Sequence, residues 1–344
     1  MHNAPVVTWS ALFVLSAIGA CVVWTRDEAP ESEPPFAVLS LDEEDVGRVR
    51  LETRARTVEF VRSGDSFRLI VEAGEAAAKP TPVPETGHDH GLEEPPLPAP
   101  SVAPGQRREF PGNDRCREVF QEAALFEATR DLGVPEAGDL AGFGLDAPED
   151  ALVVSTRRGE ERFALGKVLY GTSKRYVRRE ANGKLYVVNT AFLEAIKSEG
   201  AYIDRRLHSF FLRRADHAVV RARGRELTLI RATEITQQAL PFWAPVDRPE
   251  EENELYGDWL RKTVGLYAVD FPTEEAQKPS SALQIDYLRG EELLGTLELI
   301  EDLAEDEDSP QRYRARGEIT PGDVIVPRFA ALEIMQDLDN LLGD

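Results

Sequence analysis

The chain has 344 residues, of which 42% are hydrophobic, enough for the core of one large domain or two ordinary ones. Its 40 Lys and Arg residues against 62 Asp and Glu residues give a net charge of −22, which opposes nucleic-acid binding because phosphate recognition needs a positive surface. Two cysteines, Cys21 and Cys116, exclude the class of small proteins that several disulfides hold together.

The N-terminal segment is strongly apolar. Residues Val6–Trp24 form a run of 19 without a charge. A helix of that length spans about 28 Å, close to the ~30 Å hydrocarbon core of a bilayer. Trp9 and Trp24 lie near the two ends of the run, where aromatic residues meet the membrane surface. Residues 1–26 are therefore predicted to hold a single-pass helix in a bacterial inner membrane, with the polar remainder in the periplasm because short N-terminal tails usually stay inside.

Two other interpretations of this segment stay open. Ile18–Cys21 has small residues before a cysteine and resembles a lipoprotein signal, in which case Cys21 would carry the lipid. A cleaved signal peptide is the third interpretation, although the apolar run is longer than the ~7–15 residues of a usual hydrophobic region.

The following residues alternate between segments that can and cannot pack. Residues 27–35 are acidic and rich in proline, which predicts a stalk. Structure is expected to begin at Phe36. In 46–71 apolar residues largely alternate with polar ones, with breaks at 54–56 and 63–65, which predicts a three-stranded antiparallel meander. Residues 73–111 contain nine prolines and almost no aromatic residues, which predicts a disordered insert.

Three side chains of this insert could bind a transition metal. His88, Asp89 and His90 are adjacent in the chain and carry ligand groups that such metals accept. A flexible tract with three ligands is a weak site, so the sequence predicts no metal and no cofactor, and leaves open whether this tract catches a metal ion.

The rest of the chain shows strand and helix patterns in a repeating order. In chain order the predictions are a helix at 113–131, hairpins at 151–166 and 175–188, a helix at 189–197, a hairpin at 217–231, a helix at 249–264, a hairpin at 280–300, strands at 312–325 and a helix at 327–342. The hairpin at 175–188 is expected to turn at Asn182-Gly183, a strong two-residue turn signal.

The repeated order of hairpins, strands and helices indicates an internal duplication. The predicted fold class is therefore α+β: an N-terminal transmembrane helix followed by two similar, tandemly duplicated antiparallel sheet-plus-helix halves. The first half is predicted to cover 36–200, with the insert at 73–111, and the second half to cover 201–344.

Positive charge is concentrated in one region. Residues 151–231 hold 18 Lys and Arg against 8 Asp and Glu. Such a region is either a solvated sheet face or a surface that meets lipid headgroups or an acidic partner. The residues predicted for this basic contact patch are Arg157, Arg158, Lys174, Arg175, Arg178 and Arg179.

The sequence contains no recognisable catalytic motif. It has no G-x-x-x-x-G-K-[ST] loop, no G-x-S-x-G elbow and no H-E-x-x-H pair, so it is not itself a transporter ATPase and no catalytic residue is predicted. Cys116 is expected to be a small helix residue, and His208 a structural residue. The acidic stretch 298–308 lacks the spacing of a calcium loop and is expected to be solvated.

Two stretches carry a family resemblance. GFGLDAPEDALVVSTRRGEERFALGK, followed by YVRREANGKLYVVNTAFLEAI, resembles the domain of unknown function 4340. That family has a GLxxP turn before a strand, a strand ending in LG, and a hairpin whose second strand contains YVV. Gly144–Pro148, Leu165-Gly166 and Tyr186–Val188 occupy those places, and the meander at 46–71 resembles the family's opening strands, with Phe67 where the family has Trp.

The resemblance implies a location and a role. Members of the family typically have an N-terminal membrane helix, and many resemble auxiliary subunits of ABC transporters of the gliding-motility type. The sequence thus predicts a non-catalytic periplasmic accessory or scaffold protein of an ABC transporter or a larger envelope machine, with the membrane and the permease and ATPase subunits as partners. The alternatives are a periplasmic lipid- or glycan-binding protein that uses the basic region and Trp243 or Trp259, and an unrecognised hydrolase.

Overall fold

The computed structural model describes six stretches of the chain, which are residues 34–74, 102–232, 242–251, 253–272, 279–302 and 312–342. The predicted membrane helix with Cys21, residues 27–33 of the stalk, the His88–His90 tract and residues 303–311 lie outside the described residues. Within the described stretches, no helix is long and apolar enough to cross a membrane.

Strands make up most of the described regular structure. In chain order they are β1 (Phe36–Ser40), β2 (Val46–Glu52), β3 (Arg56–Ser63), β4 (Ser66–Ala73), β5 (Arg107–Gly112), β6 (Leu125–Ala128), β7 (Arg130–Gly133), β8 (Asp150–Thr156), β9 (Gly159–Val168), β10 (Lys174–Arg179), β11 (Leu185–Asn189), β12 (His217–Ala222), β13 (Arg225–Ala232), β14 (Phe242–Pro245), β15 (Pro279–Arg289), β16 (Glu292–Asp302), β17 (Arg312–Gly317) and β18 (Val324–Ile325).

Helices are fewer and mostly short. In chain order the α-helices are α1 (Cys116–Ala124), α2 (Leu140–Phe143), α3 (Ala191–Lys197), α4 (Glu254–Val264) and α5 (Arg328–Leu342). Single 3₁₀ turns lie at Glu43–Asp45, Ala137–Asp139, Glu199–Tyr202 and Leu212–Arg214. The predicted α+β class with antiparallel sheets is thereby confirmed.

The chain divides into two compact units. The first contains the described residues up to Val46 together with 121–192, and the second contains 47–120 and the described residues from Leu193 onward. The predicted boundary at Gly200 and the duplication of two halves stay predictions.

The first unit is built on strands β7 to β11. These strands are hydrogen-bonded in the order β8-β9-β10-β11-β7, and every pair is antiparallel. On one face, Leu145, Ala164 and Leu185 form a buried cluster against which Phe143 packs. Phe126 of β6 packs edge-on against Phe163 of β9, with the ring centroids 5.0 Å apart. Because the array is covered on both faces, four successive residues of β11 (185–188) are buried.

The second unit contains two antiparallel arrays. The meander continues into β5 in the order β5-β4-β3-β2, and a seven-stranded sheet has the order β14-β13-β12-β15-β16-β17-β18. The helices α4 and α5 contact each other and bury Trp259, whose Nε1 donates a 2.9 Å hydrogen bond to the Ile334 carbonyl. This bond ties α4 to α5 within the core of the unit.

Several sequence predictions are confirmed. The strands β2, β3 and β4 form the predicted meander, and β1 begins at Phe36 as expected. The predicted hairpins correspond to the pairs β8–β9, β10–β11, β12–β13 and β15–β16. The chain turns between β12 and β13 at Arg223-Gly224, both of which have positive φ. In the β10–β11 hairpin, Gly183 also has positive φ, but it lies in a five-residue connection (180–184) instead of a two-residue turn.

Two predicted boundaries are wrong. The helix expected over 113–131 ends at Ala124, and the chain continues as β6 because residues 125–128 alternate between exposed and buried and pair with β1. The insert expected over 73–111 ends before Arg107, where β5 begins and pairs with β4. A single buried aromatic residue, Phe110, anchors β5, which is too weak a pattern to predict a strand from sequence.

Candidate functional site

The predicted basic patch contains one buried arginine. Arg175 is 9% exposed; its Nη2 lies 2.8 Å from Asp150 Oδ2, and its Nε donates a 2.6 Å hydrogen bond to the Gly166 carbonyl. The guanidinium group therefore joins β10 to the end of β9 and the start of β8. Arg175 stabilises the fold of the first unit and is not available as a surface contact.

The other patch residues do not form one surface with it. Arg178 and Arg179 are consecutive in β10, so their side chains point to opposite faces of the array. Arg179 is neutralised by Glu161, at 2.9 Å, and this hydrogen bond raises the pKa of the guanidinium group. Arg157 and Arg158 are exposed at the β8–β9 turn, where Arg158 lies 4.0 Å from Asp45. The excess of positive charge in the sequence is thus largely dispersed and partly paired in the folded chain.

The loop between β9 and β10 (169–173), here called the hairpin tip, carries the most exposed aromatic side chain of the described residues. Tyr170 is fully exposed, and Val168, which precedes the tip, is 55% exposed. Lys174 is half-buried at the first position of β10. The tip and the adjoining end of β9 therefore display an aromatic ring and an aliphatic side chain that contribute little to the core of the first unit.

Hydrogen bonds hold the hairpin tip in one conformation. The backbone N–H of Leu169 donates to the Lys174 carbonyl at 2.8 Å, and that of Thr172 donates to the Leu169 carbonyl at 3.2 Å. The Thr172 hydroxyl donates to the same Leu169 carbonyl at 3.0 Å and accepts from the Lys174 N–H at 3.2 Å. A rigid loop that displays a tyrosine loses little conformational entropy on binding, which favours the use of the tip as a docking element.

A buried histidine and a partly buried glutamate form a polar cluster in the second unit. The Nδ1 of His208 lies 2.6 Å from Glu318 Oε2, and the histidine side chain is 1% exposed. The imidazole ring packs against the rings of Phe210 and Tyr287, with centroid distances of 5.2 and 5.3 Å, and these two rings also contact each other. No hydrogen-bond partner lies near His208 Nε2 in the described residues.

The environment of Glu318 keeps its carboxyl group ionised. Burial alone would raise the pKa of Glu318, but the hydrogen bonds from His208 and from the backbone N–H of Ser209 (2.7 Å) together lower it below its ordinary value. Gly295 leaves the room that this cluster needs, since a Cβ at this position would lie 2.8 Å from the ring of Phe210. The cluster joins the segment before β12 to the end of β17, which is a structural function.

The cysteine and tryptophan residues considered in the sequence are also structural. Cys116 is buried, and burial raises the pKa of its thiol to about 12, so a reactive thiolate is disfavoured. Trp243 and Trp259 are 6% and 1% exposed and belong to the core. A ligand-binding surface built on either tryptophan is therefore not accessible in this conformation. In the described part of the chain, no group of three or more His, Cys, Asp or Glu side chains could hold a metal ion.

The two predicted hairpins, 151–166 and 175–188, bracket the β9–β10 connection, but Tyr170 is not among the residues predicted for a contact surface. Gly171, Thr172 and Ser173 are turn-forming residues between two strand patterns, and a tyrosine directly before them would be expected outside the core. The His208–Glu318 pair could not be found in this way, because 110 positions separate its members in sequence.

Comparison with known proteins identifies one family. A model described as "Domain of unknown function (DUF4340)" matches residues 112–282. No curated protein and no solved structure matches the chain.

Proposed function

Over residues 112–282 the chain belongs to the DUF4340 family, and from this premise we propose that it is a membrane-anchored, non-catalytic accessory or scaffold protein of an ABC transporter or a related envelope machine. The observation that carries the proposal is the hairpin tip, where Tyr170 is fully exposed on a loop that four hydrogen bonds fix. Rigid, exposed tyrosines are typical anchors of protein interfaces.

The proposed anchor is the apolar run Val6–Trp24. Its length suits a single inner-membrane helix, with the rest of the chain in the periplasm. Acylation of Cys21 is the alternative means of attachment. The two similar halves, 36–200 and 201–344, belong to the same proposal as products of an internal duplication.

Internal pairing of the buried charges also supports a scaffold. Arg175 binds Asp150, His208 binds Glu318, and Arg56 binds Glu199, whose side chain is 6% exposed. In each pair one member is buried, and each pair joins separate segments of one unit. Such pairs stabilise a fixed conformation, which a protein that positions other subunits requires.

The test is recovery of tagged full-length protein from solubilised membranes after crosslinking, with mass spectrometry of its own N-terminus in the same sample. The proposal predicts recovery of a permease and its ATPase together with an intact N-terminal helix. Recovery of the tagged protein alone, acylated at Cys21, would reject the transporter role and favour a lipoprotein that binds an envelope lipid or glycan.

A further inference from the structure

A short turn in the second unit displays positive charge around an exposed aromatic ring. It consists of Phe211, Arg213 and Arg214, together with Arg231 at the end of β13, and is called the arginine turn below. We infer that the arginine turn binds an acidic segment of a partner protein. This inference goes beyond the proposed function, because it does not depend on which protein binds the hairpin tip.

Backbone hydrogen bonds fix the shape of the arginine turn. The N–H of Arg214 donates to the Phe211 carbonyl at 2.9 Å, which closes the 3₁₀ turn. Arg231 bonds to the turn from the neighbouring strand, since its Nη1 donates to the Arg213 carbonyl at 2.6 Å. The N–H of Arg231 also donates to the Asp216 carbonyl at 2.9 Å. The turn is therefore preorganised, and a partner would not have to order it.

The aromatic ring of the turn is exposed to solvent and lies next to a positive charge. Phe210 is buried among the rings of the His208 cluster, whereas its neighbour Phe211 is 65% exposed. The guanidinium carbon of Arg213 lies 4.7 Å from the centroid of the Phe211 ring. Aromatic residues and arginine are the two types most enriched where protein interfaces gain their binding energy.

Within the described residues, no carboxylate is paired with Arg213, Arg214 or Arg231. Other arginines of the same stretch are paired, since Arg206 binds Asp204 and Arg221 binds Asp286.

The acidic group nearest in sequence is already engaged. The Asp216 carboxylate accepts hydrogen bonds from His217 Nδ1 and from the Gly290 N–H, and the bond to His217 is the main cause of its lowered pKa. Asp216 therefore stays ionised but is held by these partners. The arginines are left to bind an anion from outside the described chain.

An acidic protein segment fits these charges better than a lipid surface does. Three arginines at about 1 kcal/mol each attract an anionic bilayer only weakly. A short acidic segment of a partner protein interacts only with the charges near the arginine turn, because salt screens charges beyond ~8–10 Å. Carboxylates also match the guanidinium group geometrically, through paired hydrogen bonds.

The experiment places a photo-crosslinking benzoyl-phenylalanine at position 211 of the full-length chain in its own membranes, and maps the crosslinked residues by mass spectrometry. Crosslinks are expected in segments of a protein that are rich in Asp and Glu. The variant Arg213→Glu should reduce their yield at least about tenfold, the equivalent of losing ~1.4 kcal/mol of binding. Arg157→Glu, which reverses the charge of another exposed arginine, in the first unit, should leave the yield unchanged.

Any of three crosslinking results would overturn the inference: no crosslink to protein, crosslinks to protein segments without acidic residues, or a yield unaffected by Arg213→Glu. Arg214→Glu serves as a second variant if Arg213→Glu lowers the melting temperature. In a parallel arm, purified protein is mixed with vesicles of equal parts phosphatidylglycerol and phosphatidylcholine. Vesicle binding that Arg213→Glu abolishes would make the bilayer the occupant and would reject the acidic segment.

Discussion

Replacement of His208 by alanine is expected to destabilise the second unit strongly. The histidine side chain is 1% exposed, and its Nδ1–H donates a 2.6 Å hydrogen bond to the ionised Glu318 carboxylate. Loss of a hydrogen bond to a charged group costs about 1.5–3 kcal/mol. Removal of the ring also leaves a cavity beside Phe210 and Tyr287, for which core truncations of comparable size suggest about 2 kcal/mol more.

The expected loss in the free energy of unfolding is about 3.5–4 kcal/mol, the lower part of the combined range of these two contributions, because Glu318 is 21% exposed and keeps its bond to Ser209. The assay is urea unfolding of the full-length protein in detergent, followed by tryptophan fluorescence. His217→Ala is the matched control: this half-exposed histidine also pairs with a carboxylate, and its removal should cost less than about 0.5 kcal/mol. Equal losses for the two variants, or a loss below about 1 kcal/mol for His208→Ala, would refute the structural role of the cluster.

Three further predictions concern buried groups. Because the pKa of Glu318 is lowered in the folded chain, its ionised form stabilises the fold above the unfolded pKa of about 4.3, and this stabilisation is lost as the pH falls through the lower folded pKa. The free energy of unfolding should therefore fall less steeply with decreasing pH for Glu318→Gln than for the wild type. Identical pH dependence of the two proteins would contradict the lowered pKa of Glu318. Arg175→Ala should lower the free energy of unfolding, measured by urea denaturation, by about 2–3 kcal/mol, whereas Lys174→Ala should change it by less than about 0.5 kcal/mol. Similar losses for the two variants would place Arg175 at the surface. Cys116, with its pKa raised to about 12, should be alkylated by iodoacetamide at pH 8 only after denaturation. Mass spectrometry of the peptide that contains Cys116 measures the alkylation. Rapid labelling of the native chain would show that the thiol is accessible.

The local elements of the fold could be predicted from sequence where side-chain periodicity was strong. Apolar and polar residues largely alternate in the meander at 46–71, and glycine marks the turns at Gly64, Gly224 and Gly290, each with positive φ. Pairing with a distant strand could not be predicted. The segment 125–128 and the strand β5 are short, and only their partners β1 and β4 make them strands.

The composition of a binding surface could not be predicted from sequence either, as the basic patch shows. Six positive residues close in sequence suggested one surface, but the two faces of a strand separate Arg178 from Arg179, and burial removes Arg175. The uncompensated charge around Phe211 depends on a bond between Arg213 and Arg231, 18 positions apart, which sequence alone does not reveal.

The measurement that tests the central claim most directly compares two variants of the tagged full-length protein, Tyr170→Ser and Leu255→Ser. Each removes one large exposed side chain, from the hairpin tip or from α4, and neither touches the core. If Tyr170 anchors the transporter, its loss should weaken binding by about 2 kcal/mol, or roughly 30-fold, so that Tyr170→Ser recovers little permease while Leu255→Ser recovers as much as the wild type. Equal recovery of the permease with both variants would contradict docking through the hairpin tip.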